Sequence, residues 1–391
     1  MSGKAAIVGW AHTPFGKLED PDVETLMSRV SASALEHAGV SPRDVDAITV
    51  GVFNNGFSKQ GFEAALVGVQ MPELSHVPAM RLENACATGS AALYAALDFI
   101  EAGRGRIALV IGAEKMTATP TPEVGDILLA ASYRREEAQV DAGFAGIFGK
   151  LAQNYFQKYG DHSAELAMIA AKNHVHGLSN PLAHMRKDFG FAFCNTISDK
   201  NPYVAGPLRR TDCSLVSDGA AALVVADAET AATLRRAIAF RTRTQVNDLL
   251  PLARRANPVA FEGARAAWAK AKAEAGITID QLDLVETHDC FTIAEMIEYE
   301  AMGLAGPGEG WRVAREGQTS RGGRLPVNLS GGLKSRGHPI GATGVSQHVM
   351  AAMQLCNDAG DMQLQGAAMA GVFNMGGAAV ANYVSILERQ R

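Results

Sequence analysis

Three stretches of the chain carry side chains able to do chemistry. Cys86 stands in Glu83-Asn84-Ala85-Cys86-Ala87-Thr88-Gly89-Ser90-Ala91-Ala92, where an extended segment gives way to an Ala-rich helix. A sulfur at a helix start meets free N–H groups and the positive end of the helix dipole, and both favour a thiolate. That makes Cys86 a candidate nucleophile. The competing reading is a structural thiol, because cysteine is among the most buried residue types. His338 lies in Gly331-Gly332-Leu333-Lys334-Ser335-Arg336-Gly337-His338-Pro339-Ile340-Gly341-Ala342-Thr343-Gly344. Pro339 restricts the backbone beside it and the glycines permit a tight loop, so the imidazole could be held as a base; a plain surface turn is the alternative.

The third stretch is Thr287-His288-Asp289-Cys290-Phe291-Thr292, after a strand expected at Leu284 to Glu286. Ligands collect at the carboxyl ends of strands in open α/β sheets, and strand alternation would send His288 and Cys290 to one side. One His-x-Cys pair without a matching group nearby is a poor zinc signal, so no metal is expected. Gly-x-Ser-x-Gly, Gly-x-x-x-x-Gly-Lys and His-Glu-x-x-His patterns do not occur, which argues against hydrolase, nucleotide-binding and zinc-protease readings.

Elements must bring these stretches together. The 391 residues are enough for about two domains, and 47% hydrophobic against 20% charged residues supplies a core. Lys plus Arg number 36 against 41 Asp plus Glu, a net charge of -5, so no global basic field attracts nucleic acid or an anionic membrane. The N-terminal apolar run is too short for a signal peptide and no 18-residue apolar run follows, which points to the cytoplasm. Five scattered cysteines (86, 194, 213, 290 and 356) argue against a disulfide framework.

A buried strand is expected at 5–9, a helix at 22–37 closed by Gly39, and a strand at 47–52. Ala38-Gly39-Val40 followed by Val45-Asp46-Ala47-Ile48 returns as Ala275-Gly276-Ile277 followed by Leu282-Asp283-Leu284-Val285. Ala87-Thr88-Gly89 likewise opens a helix as Ala342-Thr343-Gly344 does. These echoes in the same order suggest a duplicated α/β unit, with halves 1–250 and 251–391. Residues 116–205 break the alternation and read as an inserted loop domain covering a site, or as a surface excursion. Residues 211–227 then return as a turn and a buried strand, and 251–257 form the junction between the halves.

Together the motifs resemble the thiolase family over essentially the whole chain. They are Asn84 to Ser90, Thr211-Asp212-Cys213-Ser214 with Ser217-Asp218-Gly219-Ala220-Ala221, His288 to Phe291, and the Gly331 to Gly344 loop. The resemblance implies two duplicated five-stranded α/β halves in a five-layered αβαβα arrangement with an inserted loop domain, forming a homodimer or homotetramer. The commonest thiolases carry Asn-Glu-Ala-Phe where this chain has His288-Asp289-Cys290-Phe291, and Cys-x-Gly where it has Asn374-Met375-Gly376. Both departures resemble the sterol-carrier-protein type, in which the second thiol sits in the His-Asp-Cys-Phe loop.

That resemblance implies an acyltransferase that makes or cleaves 3-ketoacyl-CoA, with acyl-CoA and CoA as substrates and no metal or redox cofactor. Cys86 would carry the acyl group, His338 would take its proton and hold the thiolate, and Cys290, a thiol needing only modest tuning, would shuttle the α proton. Backbone N–H groups at Cys86 and the Gly376-Gly377 turn would form one oxyanion hole, and His288 with His338 the other. Phe148, Ser330, Gly331 and Gly332 are expected to touch the CoA or acyl group. Alternatives are a related acyltransferase or retro-aldolase working with an OB-fold/zinc-ribbon partner, a ketoacyl-carrier-protein synthase, and a non-catalytic scaffold.

Overall fold

A computed structural model describes residues 5–390; Met1–Lys4, part of the N-terminal run considered above, lie outside it. The first half opens with β1 (Ala6–His12), α1 (Val23–Ala38), β2 (Ala47–Gly51), α2 (Glu63–Gln70), β3 (Ala79–Leu82), α3 (Thr88–Glu101) and β4 (Ile107–Glu114). The Asp22 carboxylate accepts the Thr25 N–H to cap α1, and Gly39 closes it in the left-handed conformation at φ 71°.

After β4 come α4 (Thr121–Leu128), α5 (Arg134–Glu137), α6 (Phe144–Tyr159), α7 (Ser163–Leu178), α8 (Gly190–Cys194) and the two-stranded sheet of β5 (Tyr203–Ala205) and β6 (Leu208–Arg209). The chain then re-enters the main sheet with β7 (Gly219–Ala226) before α9 (Ala228–Ala231). The second half has β8 (Ile238–Asn247), α10 (Glu262–Ala275), β9 (Leu284–Glu286), α11 (Thr292–Met302), α12 (Gly310–Arg315), α13 (Gly332–Arg336), α14 (Ile340–Leu355), β10 (Met369–Gly376) and β11 (Ala381–Arg389).

The nine main strands run in the order β3-β2-β4-β7-β1-β8-β11-β10-β9. Read outward from the centre, β1-β7-β4-β2-β3 is repeated as β8-β11-β10-β9 and a final single bridge, Val285 to Val327. Parallel and antiparallel pairings repeat as well: β2 with β4 and β9 with β10 are parallel, while β4 with β7 and β10 with β11 are antiparallel. Pro326, which has no N–H, and Asn328, at φ 59°, flank the bridge and keep it from lengthening into a full fifth strand. Gly276 ends α10 at φ 64° as Gly39 ends α1, so that echo is a shared helix stop.

β8 precedes residue 250, yet it pairs with β11 from Ile238 to Asn247 and with β1 at only two positions. By pairing, the chain changes halves between β7 and β8. α1 covers one outer face and α10 the other, and α3 and α14 pack against each other between the two halves of the nine-stranded sheet, giving the five layers. The Thr-Gly echo explains this central contact. A Cβ on Gly89 would lie 2.7 Å from the Val345 nitrogen, and one on Gly344 would lie 2.3 Å from the Ser90 nitrogen. Backbone therefore meets backbone where the two helices begin, and both chemical loops are carried to that point. Among the described residues, no helix is long and apolar enough to cross a membrane.

Candidate active site

Cys86 sits on the sharp turn between β3 and α3. Ala85 before it has φ 50°, an uncommon value for a residue with a Cβ, held by a Thr88 N–H bond to the Ala85 carbonyl at 3.0 Å. The Asn84 N–H donates to Thr88 Oγ1 at 2.8 Å, and Asn84 Nδ2 donates to the Tyr383 hydroxyl at 2.8 Å. Gly376 lets this turn seat against β10, because a Cβ there would lie 2.3 Å from the Asn84 carbonyl oxygen. The N–H of Gly377, rather than that of Gly376, reaches the Cys86 sulfur, together with the N–H of Cys86 itself.

The structure brings four of the expected residues together. Cys86 Sγ and one ring nitrogen each from His288 and His338 lie within 4.8 Å of one another, the one such three-residue cluster among the described residues. The two imidazoles meet edge to face, with centroids 5.1 Å apart. Cys290 shares a cavity of about 230 Å³ with Cys86 and His338. Its own N–H bonds the His288 carbonyl at 2.9 Å, and its carbonyl accepts from the Ser214 N–H at 2.9 Å, which locks the loop after β9 against the segment leading to β7.

The electrostatics correct the expected thiolate. Burial pushes the Cys86 thiol up to about 12, beyond what the two N–H groups recover, while burial and then the Arg336 charge push His338 down to about 3. Cys86 and His338 are thus a neutral thiol and a neutral imidazole at rest, not an ion pair. Cys290 is likewise raised well above its ordinary value, first by burial and then by Cys86, so its tuning is more than modest. Burial, His338 and Arg336 keep His288 neutral. Glu298 behind this loop is raised by burial too, and its Oε2 accepts from Thr287 Oγ1 at 2.6 Å.

Four expected substrate contacts are placed elsewhere. Phe148 is fully buried and stacks behind Phe291, with centroids 4.4 Å apart, so Phe291 forms the cavity wall in its stead. Ser330 is tied into a buried network in which its hydroxyl donates to Glu286 and accepts from Arg336 at 2.6 Å. Gly331 and Gly332 provide room rather than ligand contacts. A Cβ on Gly331 would strike Gly177, and one on Gly332 would strike the Asp289 carboxylate. That carboxylate accepts from Leu333 N at 2.6 Å and Lys334 N at 3.1 Å, turning Asp289 to the start of α13.

Sequence reasoning passed over two supports. Asn374 bridges the Cys86 turn and His288, and Thr343 Oγ1 meets His338 Nδ1 at 2.6 Å. In the sequence Asn374 reads only as a missing thiol, although its place in Asn374-Met375-Gly376 is the available signal. The rest of the cavity wall is largely apolar and comes partly from the inserted segment, including Val124, Leu128 and Phe144, together with Leu215 and Val216. Such a wall suits an acyl chain with a thioester at its end.

Known proteins place this arrangement. The family model for the thiolase N-terminal domain matches residues 5–189, and that for the thiolase C-terminal domain matches 245–389. The acetyl-CoA acetyltransferase of Methanothermobacter thermautotrophicus is 34% identical over 98% of this chain and 99% of its own. Human sterol carrier protein 2 is 30% identical over 95% of this chain and 69% of its own. Among solved structures, an Ltp2-ChsH2(DUF35) aldolase superposes with a TM-score of 0.84 at 19% identity, covering 100% of this chain and 99% of that one. Human mitochondrial 3-ketoacyl-CoA thiolase in complex with CoA superposes with a TM-score of 0.77 at 17% identity, covering 100% and 98%. With both halves matched and a full-length relative at this identity, the chain belongs to the thiolase family.

Proposed function

We infer that this protein is a thiolase-type acyltransferase that makes or cleaves 3-ketoacyl-CoA through an acyl group on Cys86. The observation that carries the reading is the convergence of two thiols and the His338 imidazole, from both halves of the fold, on one largely apolar cavity, with the buried His288 imidazole clustered against Cys86 and His338.

In the direction of synthesis, the Cys86 sulfur attacks the thioester carbonyl of the first acyl-CoA as its proton passes to His338. The N–H groups of Cys86 and Gly377 receive the oxyanion. CoA departs with the proton of Cys290. The Cys290 thiolate then removes an α proton from a second acyl-CoA, and His288 and protonated His338 stabilise the enolate oxygen. The carbanion attacks the acyl carbonyl on Cys86, the carbon–sulfur bond breaks, and His338 returns its proton to the departing sulfur. Every proton is recovered, and 3-ketoacyl-CoA and CoA leave. Because the thiol and imidazole are neutral at rest, proton transfer from Cys86 accompanies attack rather than preceding it.

The substrates are acyl-CoA and CoA, with no metal or redox cofactor in the proposed cycle. A homodimer or homotetramer is the assembly proposed, in the cytoplasm. The name of the DUF35 aldolase that shares this fold motivates a test for a partner protein by co-purification. Incubation with acetyl-CoA followed by peptide mass mapping should place an acetyl group on Cys86, and a panel of 3-ketoacyl-CoA esters should be cleaved in the presence of CoA. No adduct on Cys86 together with no cleavage would defeat the reading.

A further inference from the structure

We propose that Asn374 is a positioning residue that holds the proton of His288 on Nε2, so that this imidazole always presents a hydrogen-bond donor to the reacting oxygen. The inference rests on the acyltransferase reading for its catalytic consequence, but not for its structural content.

The side-chain amide of Asn374 makes three contacts. Nδ2 lies 3.0 Å from the Cys86 carbonyl and 2.9 Å from His288 Nδ1, and Oδ1 accepts from the Ser90 hydroxyl at 2.7 Å. Two of these partners would tolerate either orientation of the amide, since a hydroxyl gives or accepts and a neutral imidazole nitrogen does either according to its tautomer. The Cys86 carbonyl removes the ambiguity because it can only accept. The NH₂ group must therefore face Cys86, and its other hydrogen points to His288 Nδ1. A nitrogen that accepts there carries no proton of its own. In a neutral imidazole the proton is consequently on Nε2.

Two further observations support the assignment. His288 Nε2 is fully buried and has no hydrogen-bond partner within the chain, which leaves it for a ligand atom. The imidazole is also kept neutral by burial and by His338 and Arg336. The polarity at His338 is reversed. Thr343 Oγ1 donates to the Pro339 carbonyl at 2.9 Å and meets His338 Nδ1 with its lone pair, leaving Nε2 of His338 without a hydrogen at rest. His338 can thus act as a base toward Cys86 and gains a hydrogen there only by taking one. His288 has its hydrogen throughout. The same tautomer denies a cation the third lone pair that the Cys86, His288 and His338 cluster would need.

Sequence alone assigns Asn374 no part, because an amide neither titrates nor attacks. Its role follows from a contact between the turn before α3 and the loop after β9, which join at β10.

The experiment uses histidine labelled with ¹⁵N in the full-length protein and long-range ¹H–¹⁵N correlation spectra, with His288→Gln identifying the signal. The wild type should show His288 protonated on Nε2 and bare at Nδ1. Asn374→Asp, which places acceptors on both sides, should move the proton to Nδ1. In the same variant, and in Asn374→Leu, α-proton exchange of acetyl-CoA with deuterated solvent should fall on the order of a hundred-fold, the loss typical of one oxyanion donor. Transfer of the acetyl group to Cys86, whose carbonyl Asn374 also holds, should fall about ten-fold less than exchange does, because its oxyanion site uses backbone N–H groups. Protonation of wild-type His288 on Nδ1 would overturn the proposal even if neither variant folds. Equal loss of both half-reactions with the tautomer unchanged would also overturn it, since that is the mark of a merely structural residue. A wild type that forms no acyl-enzyme while His288 shows the Nε2 proton would defeat the acyltransferase reading and leave the tautomer assignment standing.

Discussion

The carboxylate of Glu114, at the end of β4, accepts the N–H of Gly341 in the first turn of α14 at 3.0 Å. It also accepts from Phe53 N at 2.9 Å and Asn54 N at 3.0 Å, so one buried side chain joins the first-half sheet to the helix that follows His338. Burial nevertheless raises Glu114 to about 7 from the ordinary 4.5, against the pull of those three N–H groups. Between those two values the folded protein holds a proton that the unfolded chain has released. The stability associated with this protonation is full below about pH 4.5 and is lost as pH rises through about 7. Glu114→Gln turns an NH₂ group toward backbone donors and should destabilise the fold by about 1–3 kcal/mol. The difference in denaturation midpoint between wild type and variant should narrow as pH rises over that window. A pH-independent difference would contradict the raised value.

The neutral pair of Cys86 and His338 predicts an unusual contrast between reagents. Alkylation of Cys86 by iodoacetamide should climb about ten-fold per pH unit through neutrality, with no acid plateau, because the thiol is held near 12. Acyl-CoA should nevertheless acylate it readily at neutral pH, and His338→Ala should slow that acylation by about 10²–10⁴-fold. A plateau of alkylation below pH 7 would instead reveal a preformed thiolate–imidazolium pair.

Cys290 should separate the two half-reactions. Cys290→Ala is expected to accept an acyl group on Cys86, yet to lose exchange of α protons with deuterated solvent and formation of 3-ketoacyl product. The shared cavity places its sulfur with Cys86 and His338, and Asn374 has no titratable proton with which to replace it. Normal condensation by this variant would transfer the proton-shuttle role to another residue.

Gly376 is required for what it lacks. A methyl group there would lie 2.3 Å from the Asn84 carbonyl, on the turn that carries Cys86. Gly376→Ala should push that turn away and lower acylation about a hundred-fold, the scale expected for a small misplacement of a reacting atom. Acylation at the wild-type rate would show that the turn absorbs the change without moving the sulfur.

Much of this was legible from residue order. Asp22 and Gly39 bound α1 as local chemistry requires, Gly276 repeats the stop, and the Thr-Gly pairs mark the two helix starts that meet at the centre. Cys86, His288, Cys290 and His338 were recognisable because their loops combine reactive side chains with small residues, a pattern set by local backbone needs. Other properties depend on neighbours distant in sequence. Whether Cys86 is a thiol or a thiolate is decided by how completely the assembled layers exclude water, which local helix geometry cannot reveal. Ser330, Gly331 and Gly332 lie close in sequence to His338, and Phe148 lies in the inserted segment, but all four face into the packing, because side-chain direction is settled only when the layers close. β8 goes with the second half since pairing, not position before residue 250, assigns a strand. Asn374 illustrates the division most clearly. Its amide has an ordinary chemistry in sequence, and only the simultaneous approach of Ser90, the Cys86 carbonyl and His288 gives that amide one orientation.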